Sequence, residues 1–265
     1  YLNSNFNHPL TDRDRHYLQP RWSPDGTRIV YTVTQVDENA GFNNNFAGSA
    51  IEIMDADGSN VQALTAGNGE YAPTWSPNGE TIAYASVADS GIYLMDADGS
   101  NPRMIHDGLE VKSLDFSPDG DELLVATRLE ENGLTQPYIL NLEDMTLRPL
   151  LEEEISVWDA AWSPDGETIA LATTMDGIVL FDVNGQTTEP VTFTGFWTFA
   201  LEDAFNVSDL AWSPDGTQLA FIIQSWRMQV AISTPVPIDR VGAQLAVVNL
   251  ATGNLDILTY GFNNA

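Results

Sequence analysis

One pentapeptide governs what this chain can fold into. Trp22-Ser23-Pro24-Asp25-Gly26 returns as Trp75-Ser76-Pro77-Asn78-Gly79, Phe116-Ser117-Pro118-Asp119-Gly120, Trp162-Ser163-Pro164-Asp165-Gly166 and Trp212-Ser213-Pro214-Asp215-Gly216. The intervals are 53, 41, 46 and 50 residues, a period that suits one four-stranded sheet per repeat. The motif is a turn by its chemistry. Proline presets φ, Asp or Asn bonds to the local backbone, and glycine takes the left-handed position. The aromatic that precedes it closes one strand and can wedge against a neighbouring sheet.

The same succession follows each turn. A β-rich run comes first: Arg28–Val33, Thr81–Ser86, Glu122–Thr127, Thr168–Thr173 and Gln218–Ile223. Several of these alternate or are wholly apolar, as strands buried between stacked sheets should be. A third strand is expected at Ile51–Asp55, Ile92–Asp96, Tyr138–Leu142, Ile178–Asp182 and Gln244–Asn249. Tight turns such as Asp55-Ala56-Asp57-Gly58-Ser59-Asn60 and Asp96-Ala97-Asp98-Gly99-Ser100-Asn101 then lead into a fourth strand. That strand is expected near Leu64, Ile105, Leu150, Val191 and Leu258. Each unit therefore reads strand a, Ser-Pro-Asp-Gly turn, strand b, loop, strand c, Asp-Gly turn, strand d.

With Trp-Ser-Pro-Asp-Gly, strands such as Ile82-Ala83-Tyr84 and hairpins such as Met54-Asp55-Ala56-Asp57-Gly58-Ser59-Asn60 in view, the chain resembles the WD-like repeat of TolB-type β-propellers. The resemblance covers about residues 18–259. It implies an all-β propeller of four-stranded antiparallel blades, six in number, in an exported bacterial protein that works through protein–protein contacts. The α/β domain of TolB has no counterpart in these residues, so its partner-binding segment is not carried over. Similar repeats also form accessory propellers of prolyl oligopeptidases and tricorn-type proteases, which keeps a second reading open: one domain of a larger peptidase. Complete blades are expected at about 18–65, 71–106, 111–151, 156–192 and 207–259. Residues 1–11 read as the outer strand of a further, incomplete blade, with a closed five-bladed ring as the alternative. The opening on Tyr1 predicts a processed or partly represented product.

Composition removes whole classes of function. With no cysteine there is neither a disulfide framework nor a thiolate metal site. Acidic residues number 38 against 10 basic ones, and Lys112 is the only lysine. Such a surface repels nucleic acid and anionic membranes. The charge is uneven: residues 1–28 hold Arg13, Arg15, Arg21 and Arg28 against Asp12, Asp14 and Asp25, or +1, which leaves −29 of the total −28 on the remainder. No apolar run is long enough for a spanning helix, so membrane insertion is not expected. Catalysis is not expected either. The histidines are His8, His16 and His106, and no Gly-x-Ser-x-Gly elbow, His-Glu-x-x-His pair or phosphate loop occurs.

Candidate sites follow from loop length. The a–b and c–d turns are short, whereas 34–50, 193–206 and 224–243 are long b–c or d–a connections. Long loops on a rigid scaffold commonly carry function. These are aromatic, which marks Phe42, Phe46, Phe196, Trp197, Phe199 and Trp226 as candidate contacts for another protein or protein complex, with self-packing as the plainer alternative. No cofactor is expected, with one exception to weigh. Asp159 and Asp209 stand three residues before Trp162 and Trp212, where strand a should line a central channel; two carboxylates there could hold Ca²⁺, or simply hydrate an acidic channel that Lys112 partly neutralises. The Asp-Ala-Asp-Gly turns do not fit a calcium loop, because positions six and twelve fall on Asn60 and Ala66, or on Asn101 and Asp107. Asn206-Val207-Ser208 matches a glycosylation triplet.

Overall fold

The computed structural model describes residues 15–35, 46–128, 134–152, 155–174, 177–184, 187–191, 205–225 and 243–258. These contain five four-stranded sheets, each ordered as its strands occur in the chain. Blade 1 is β1 (Arg15–Trp22), β2 (Arg28–Gln35), β3 (Ala50–Asp55) and β4 (Gln62–Ala63). Blade 2 is β5 (Glu70–Trp75), β6 (Thr81–Ser86), β7 (Gly91–Asp96) and β8 (Arg103–His106). Both lie in a first compact unit, Tyr1–Glu110.

The second unit, Val111–Ala265, holds the other three blades apart from the first residue of blade 3. Blade 3 is β9 (Glu110–Phe116), β10 (Glu122–Arg128), β11 (Thr135–Asn141) and β12 (Leu147–Pro149). Blade 4 is β13 (Val157–Trp162), β14 (Thr168–Thr173), β15 (Ile178–Asp182) and β16 (Thr187–Pro190). Blade 5 is β17 (Phe205–Trp212), β18 (Gln218–Ser225), β19 (Ala243–Asn249) and β20 (Leu255–Ile257).

The strand b and c positions expected from the repeat agree with these elements to within three residues. The six-blade expectation does not hold. Five blades are present among the described residues, and each takes its outer strand from its own repeat, so none of the five sheets lacks a strand that residues 1–11 would supply. Residues 1–11 lie outside the described residues.

The core lies between successive sheets. In the first unit, Val30, Ile51 and Ile53 of blade 1 pack against Trp75, Ile82, Tyr84 and Met95 of blade 2. In the second, Ala170 and Ile178 of blade 4 pack against Leu219, Phe221, Ala246 and Val248 of blade 5, and Leu124 and Ile139 of blade 3 against Trp162, Ile169 and Phe181 of blade 4. Strands b such as β14 are buried from their second residue to their last. A strand covered on both faces reads as a continuous apolar run rather than an alternation, and burying each Ile or Leu contributes roughly 1.5–3 kcal/mol.

Every Ser-Pro-Asp/Asn-Gly turn is closed by the same bonds. Ser23 donates its hydroxyl to Asp25 Oδ1 at 2.6 Å and accepts the Arg28 N–H at 2.9 Å, while Gly26 N–H donates to the Ser23 carbonyl at 2.8 Å. The serine–carboxylate or serine–amide bond recurs at Ser76–Asn78, Ser117–Asp119, Ser163–Asp165 and Ser213–Asp215. Ser23 and the Thr27 N–H hold the Asp25 carboxyl down to about 2, and Asp119, Asp165 and Asp215 are lowered by their serines in the same way.

Candidate functional site

Antiparallel pairing sets the ends of each blade. The a–b and c–d turns leave from one end, and the b–c and d–a connections from the other. At the first end the turns are tight. At the second, residues 36–49 separate β2 from β3, 226–242 separate β18 from β19, and 191–204 separate β16 from β17. Phe42, Phe196, Trp197, Phe199 and Trp226 lie outside the described residues. Phe46 is described. Its ring stacks on Tyr71 of blade 2, with centroids 4.3 Å apart and planes 10° apart, and its carbonyl accepts the Ser49 hydroxyl at 2.7 Å. One face of this candidate contact residue is thus committed to the adjoining blade.

Strand a carries a bulge. The β1–β2, β5–β6 and β17–β18 registers shift around Gln19, Ala72 and Asp209, and these three residues take left-handed φ values of 52°, 52° and 55°. The β13–β14 register shifts just before Asp159. Polar side chains at this position of strand a reach the backbone of the following blade. Gln19 Oε1 accepts the Ala72 N–H at 2.9 Å and the Thr32 hydroxyl at 3.1 Å. Ser113 Oγ accepts the Ala160 N–H at 3.3 Å. Asp159 Oδ2 accepts the Leu210 N–H at 2.7 Å while its Oδ1 takes the Ala160 N–H at 2.9 Å. At Gln19, Ser113 and Asp159 this position of strand a latches one blade to the next. An unmatched N–H in a buried strand would cost about 1–3 kcal/mol.

Asp159 is buried and both its oxygens are engaged by backbone. Asp209 is exposed and accepts the Ser208 hydroxyl at 2.9 Å. Lys112 is half-buried. Among the described residues, no three His, Cys, Asp or Glu side chains come close enough together to hold a metal ion. His16 is exposed, and His106 Nδ1 lies 2.8 Å from the Asp107 carbonyl. Asn206 falls within β17 rather than in a loop.

A second contact accompanies each latch. The indole N–H of Trp75 donates to the Arg21 carbonyl of blade 1 at 3.3 Å, and the Arg28 guanidinium sits 4.8 Å above its ring. The indole N–H of Trp212 donates to the Ala161 carbonyl of blade 4 at 3.1 Å. Trp162 departs from the pattern: its backbone N–H donates to Asp115 Oδ2 at 2.8 Å, and its indole N–H has no partner among the described residues. Sequence reasoning anticipated the aromatic wedge but not its polar half. The signal was the fixed spacing of Gln19, Ser113 and Asp159 from the aromatic; the direction of those side chains is set by the backbone of the folded blade.

Blade 1 also carries a polar cluster on the face turned away from blade 2. Glu52 is buried there, accepting from Arg15 Nη2 at 2.5 Å and from the Tyr31 hydroxyl at 3.1 Å. Burial, then the Glu52 charge, pushes the Tyr31 hydroxyl well above its ordinary value. The ring of Tyr17 tilts against that of Tyr31, and the Arg15 guanidinium lies 5.7 Å from its centre.

The comparisons with known proteins agree with this geometry. The model of the TolB beta propeller domain family matches residues 36–264. No curated protein matches the chain. Among solved structures, a putative TolB from Agrobacterium tumefaciens is 19% identical, with a TM-score of 0.68 over 94% of this chain and 82% of that one. The nidogen–laminin complex contains a chain 9% identical, with a TM-score of 0.66 over 94% of this chain and 81% of that one. A puromycin hydrolase is 14% identical, with a TM-score of 0.58 over 95% of this chain but only 38% of that one. Likenesses this remote speak to the fold alone. The blade topology, the recurring Ser-Pro-Asp-Gly turn and the family match together place the chain in the TolB beta propeller domain family.

Proposed function

We propose that this propeller is a non-enzymatic protein-binding module of an exported bacterial protein, docking through the ends of its blades that bear the long b–c and d–a connections. The observation that carries this reading is the asymmetry of the connections. One end of each described blade is finished with tight turns saturated by their own hydrogen bonds. The other end bears 36–49, 191–204 and 226–242, which hold Phe42, Phe46, Phe196, Trp197, Phe199 and Trp226. Aromatic side chains on loops carried by a rigid scaffold are the usual anchors of a protein interface. Family membership supports the same reading, as does a neighbour of the same fold solved in a complex of two proteins. The sequence supplies no nucleophile–base arrangement that would favour catalysis.

The test shortens 36–45 and 226–241 to Gly-Ser linkers and compares capture from the exported fraction of the native source. Intact chain is expected to retain a partner that both shortened chains lose, with circular dichroism and melting unchanged. Equal capture by all three chains refutes the reading.

A puromycin hydrolase among the structural neighbours favours a second reading, a propeller that accompanies a hydrolase domain. A reading frame that continues into a catalytic domain would establish it. Ca²⁺ held by Asp159 and Asp209 is a further proposal, which calorimetry on the intact chain and on Asp209→Asn would decide.

A further inference from the structure

Three seams between successive blades lie inside the two units: blades 1 and 2 in the first, blades 3 and 4 and blades 4 and 5 in the second. Two of them are fastened alike. Their inner strands lie against each other, β5 on β1 and β17 on β13. The seam between blades 3 and 4 is built differently. There β13 packs on β10 and β11 of blade 3 and scarcely on β9, the inner strand of that blade.

The polar contacts fall in the same order. Asp159 Oδ2 holds the Leu210 N–H at 2.7 Å and Gln19 Oε1 holds the Ala72 N–H at 2.9 Å, whereas Ser113 Oγ lies 3.3 Å from the Ala160 nitrogen. The last value is beyond the usual length of such a bond. The indoles of Trp75 and Trp212 donate to the carbonyl just before the tryptophan of the preceding blade, Arg21 and Ala161. For Trp162 the corresponding residue is Asp115, just before Phe116. Its carboxylate Oδ2 accepts the Trp162 backbone N–H at 2.8 Å, but the indole N–H stays closed off among Leu124, Ile139, Ile169 and Phe181, with no acceptor among the described residues. A buried donor without a partner keeps its full desolvation cost for as long as the site is shut. Opening the seam returns that donor to water.

We propose that the seam between blades 3 and 4 is a built-in line of opening in the second unit, with the Asp115 carboxylate as its clasp and the unpaired Trp162 indole as the group that favours the open form. Parting β9 from β13 breaks the two side-chain bonds to Ala160 and Trp162 and no strand ladder, because each sheet keeps its own four strands. Asp115 is only half-buried, so the clasp opens from the solvent side. Proteins open first along such sparsely bonded lines, well before they unfold as a whole. The device uses no residue of the long loops and stands apart from the protein-binding reading.

The experiment is native-state hydrogen exchange of the whole chain, followed by nuclear magnetic resonance at four amides: Ala72, Ala160, Trp162 and Leu210. Each is bonded to a side chain of the neighbouring blade, so they compare like with like. Ala160 and Trp162 are expected to exchange together, at least about tenfold faster than Leu210. Their exchange should quicken in urea well below the unfolding midpoint, which distinguishes the opening of a surface from the fraying of one bond. Asp115→Ala should speed both amides about tenfold further and leave Leu210 as it is; if that variant does not fold, Asp115→Asn reads the same clasp. Trp162→Phe removes the unpaired donor at a position where blade 3 itself carries Phe116, and should slow exchange at Ala160. Trp212→Phe removes a bond that is made and should speed exchange at Leu210. Ala160 and Trp162 exchanging as slowly as Leu210 overturns the proposal. So does a Trp162→Phe chain in which Ala160 exchanges faster, because the indole then has a partner in solution.

Discussion

Blades 1 and 2 carry nearly the same sequence and live in different surroundings. Trp-Ser-Pro-(Asp/Asn)-Gly, an Ile-x-Tyr strand and a Met-Asp-Ala-Asp-Gly-Ser-Asn hairpin recur in both. In blade 2 the tryptophan is a wedge, bonded to the Arg21 carbonyl and roofed by Arg28. In blade 1 the same residue stands in solvent. The difference teaches that the repeat encodes a contact surface, and that neighbourhood decides whether the surface becomes core.

The sharpest way to break this comparison is to truncate both tryptophans. Trp75→Ala should cost about 3–5 kcal/mol, because it empties a packed site. Trp22→Ala should stay within about 0.5 kcal/mol in dilute solution, as exposed substitutions do. Equal losses in urea unfolding would mean that Trp22 is buried in solution. The next effect is smaller. Gln19→Ala removes the acceptor of the Ala72 N–H and should cost about 1–3 kcal/mol. The corresponding residue of blade 2, Ala72, has no side chain that could latch, so Ala72→Gly should not cost a hydrogen bond. Chemical denaturation of both variants makes the measurement.

The smallest effect concerns acid. The Asp25 carboxyl is held at about 2, below its ordinary value near 3.9. A carboxyl depressed in the folded state contributes stability above its unfolded value and loses it as pH falls through the folded one. The advantage of the intact chain over Asp25→Asn should therefore persist from neutral pH to about 4 and vanish towards about 2. Blade 2 has Asn78 in this turn and should lack that dependence; Asn78→Asp should introduce it. Urea midpoints at pH 7 and across the acid range read the difference.

Much of this fold was legible before any coordinates. The five turns fixed the number of complete units, and strand c was placed to within three residues in each of them. The candidate site was less legible. Phe46 reads from the sequence as a contact for another protein or as self-packed, and nothing in its residue type tells that its ring lies on Tyr71. Asp159 reads from the sequence as a channel carboxylate, and nothing in its residue type or spacing tells that it holds the backbone of blade 5. Loop length and residue type suggest that a side chain has work to do but leave its direction open.

The sequence by itself determined the blade. Its turn chemistry, its apolar strands and its repeat length are local, and local rules act alike on every copy. Only the tertiary structure decided which blade faces are covered, where the latch side chains point, and that five sheets are complete without residues 1–11. Those outcomes depend on which neighbour stands beside a strand and on a bulge that turns Gln19, Ala72 and Asp209 into left-handed backbone. Nearly identical motifs therefore gave a buried Trp75 and an exposed Trp22.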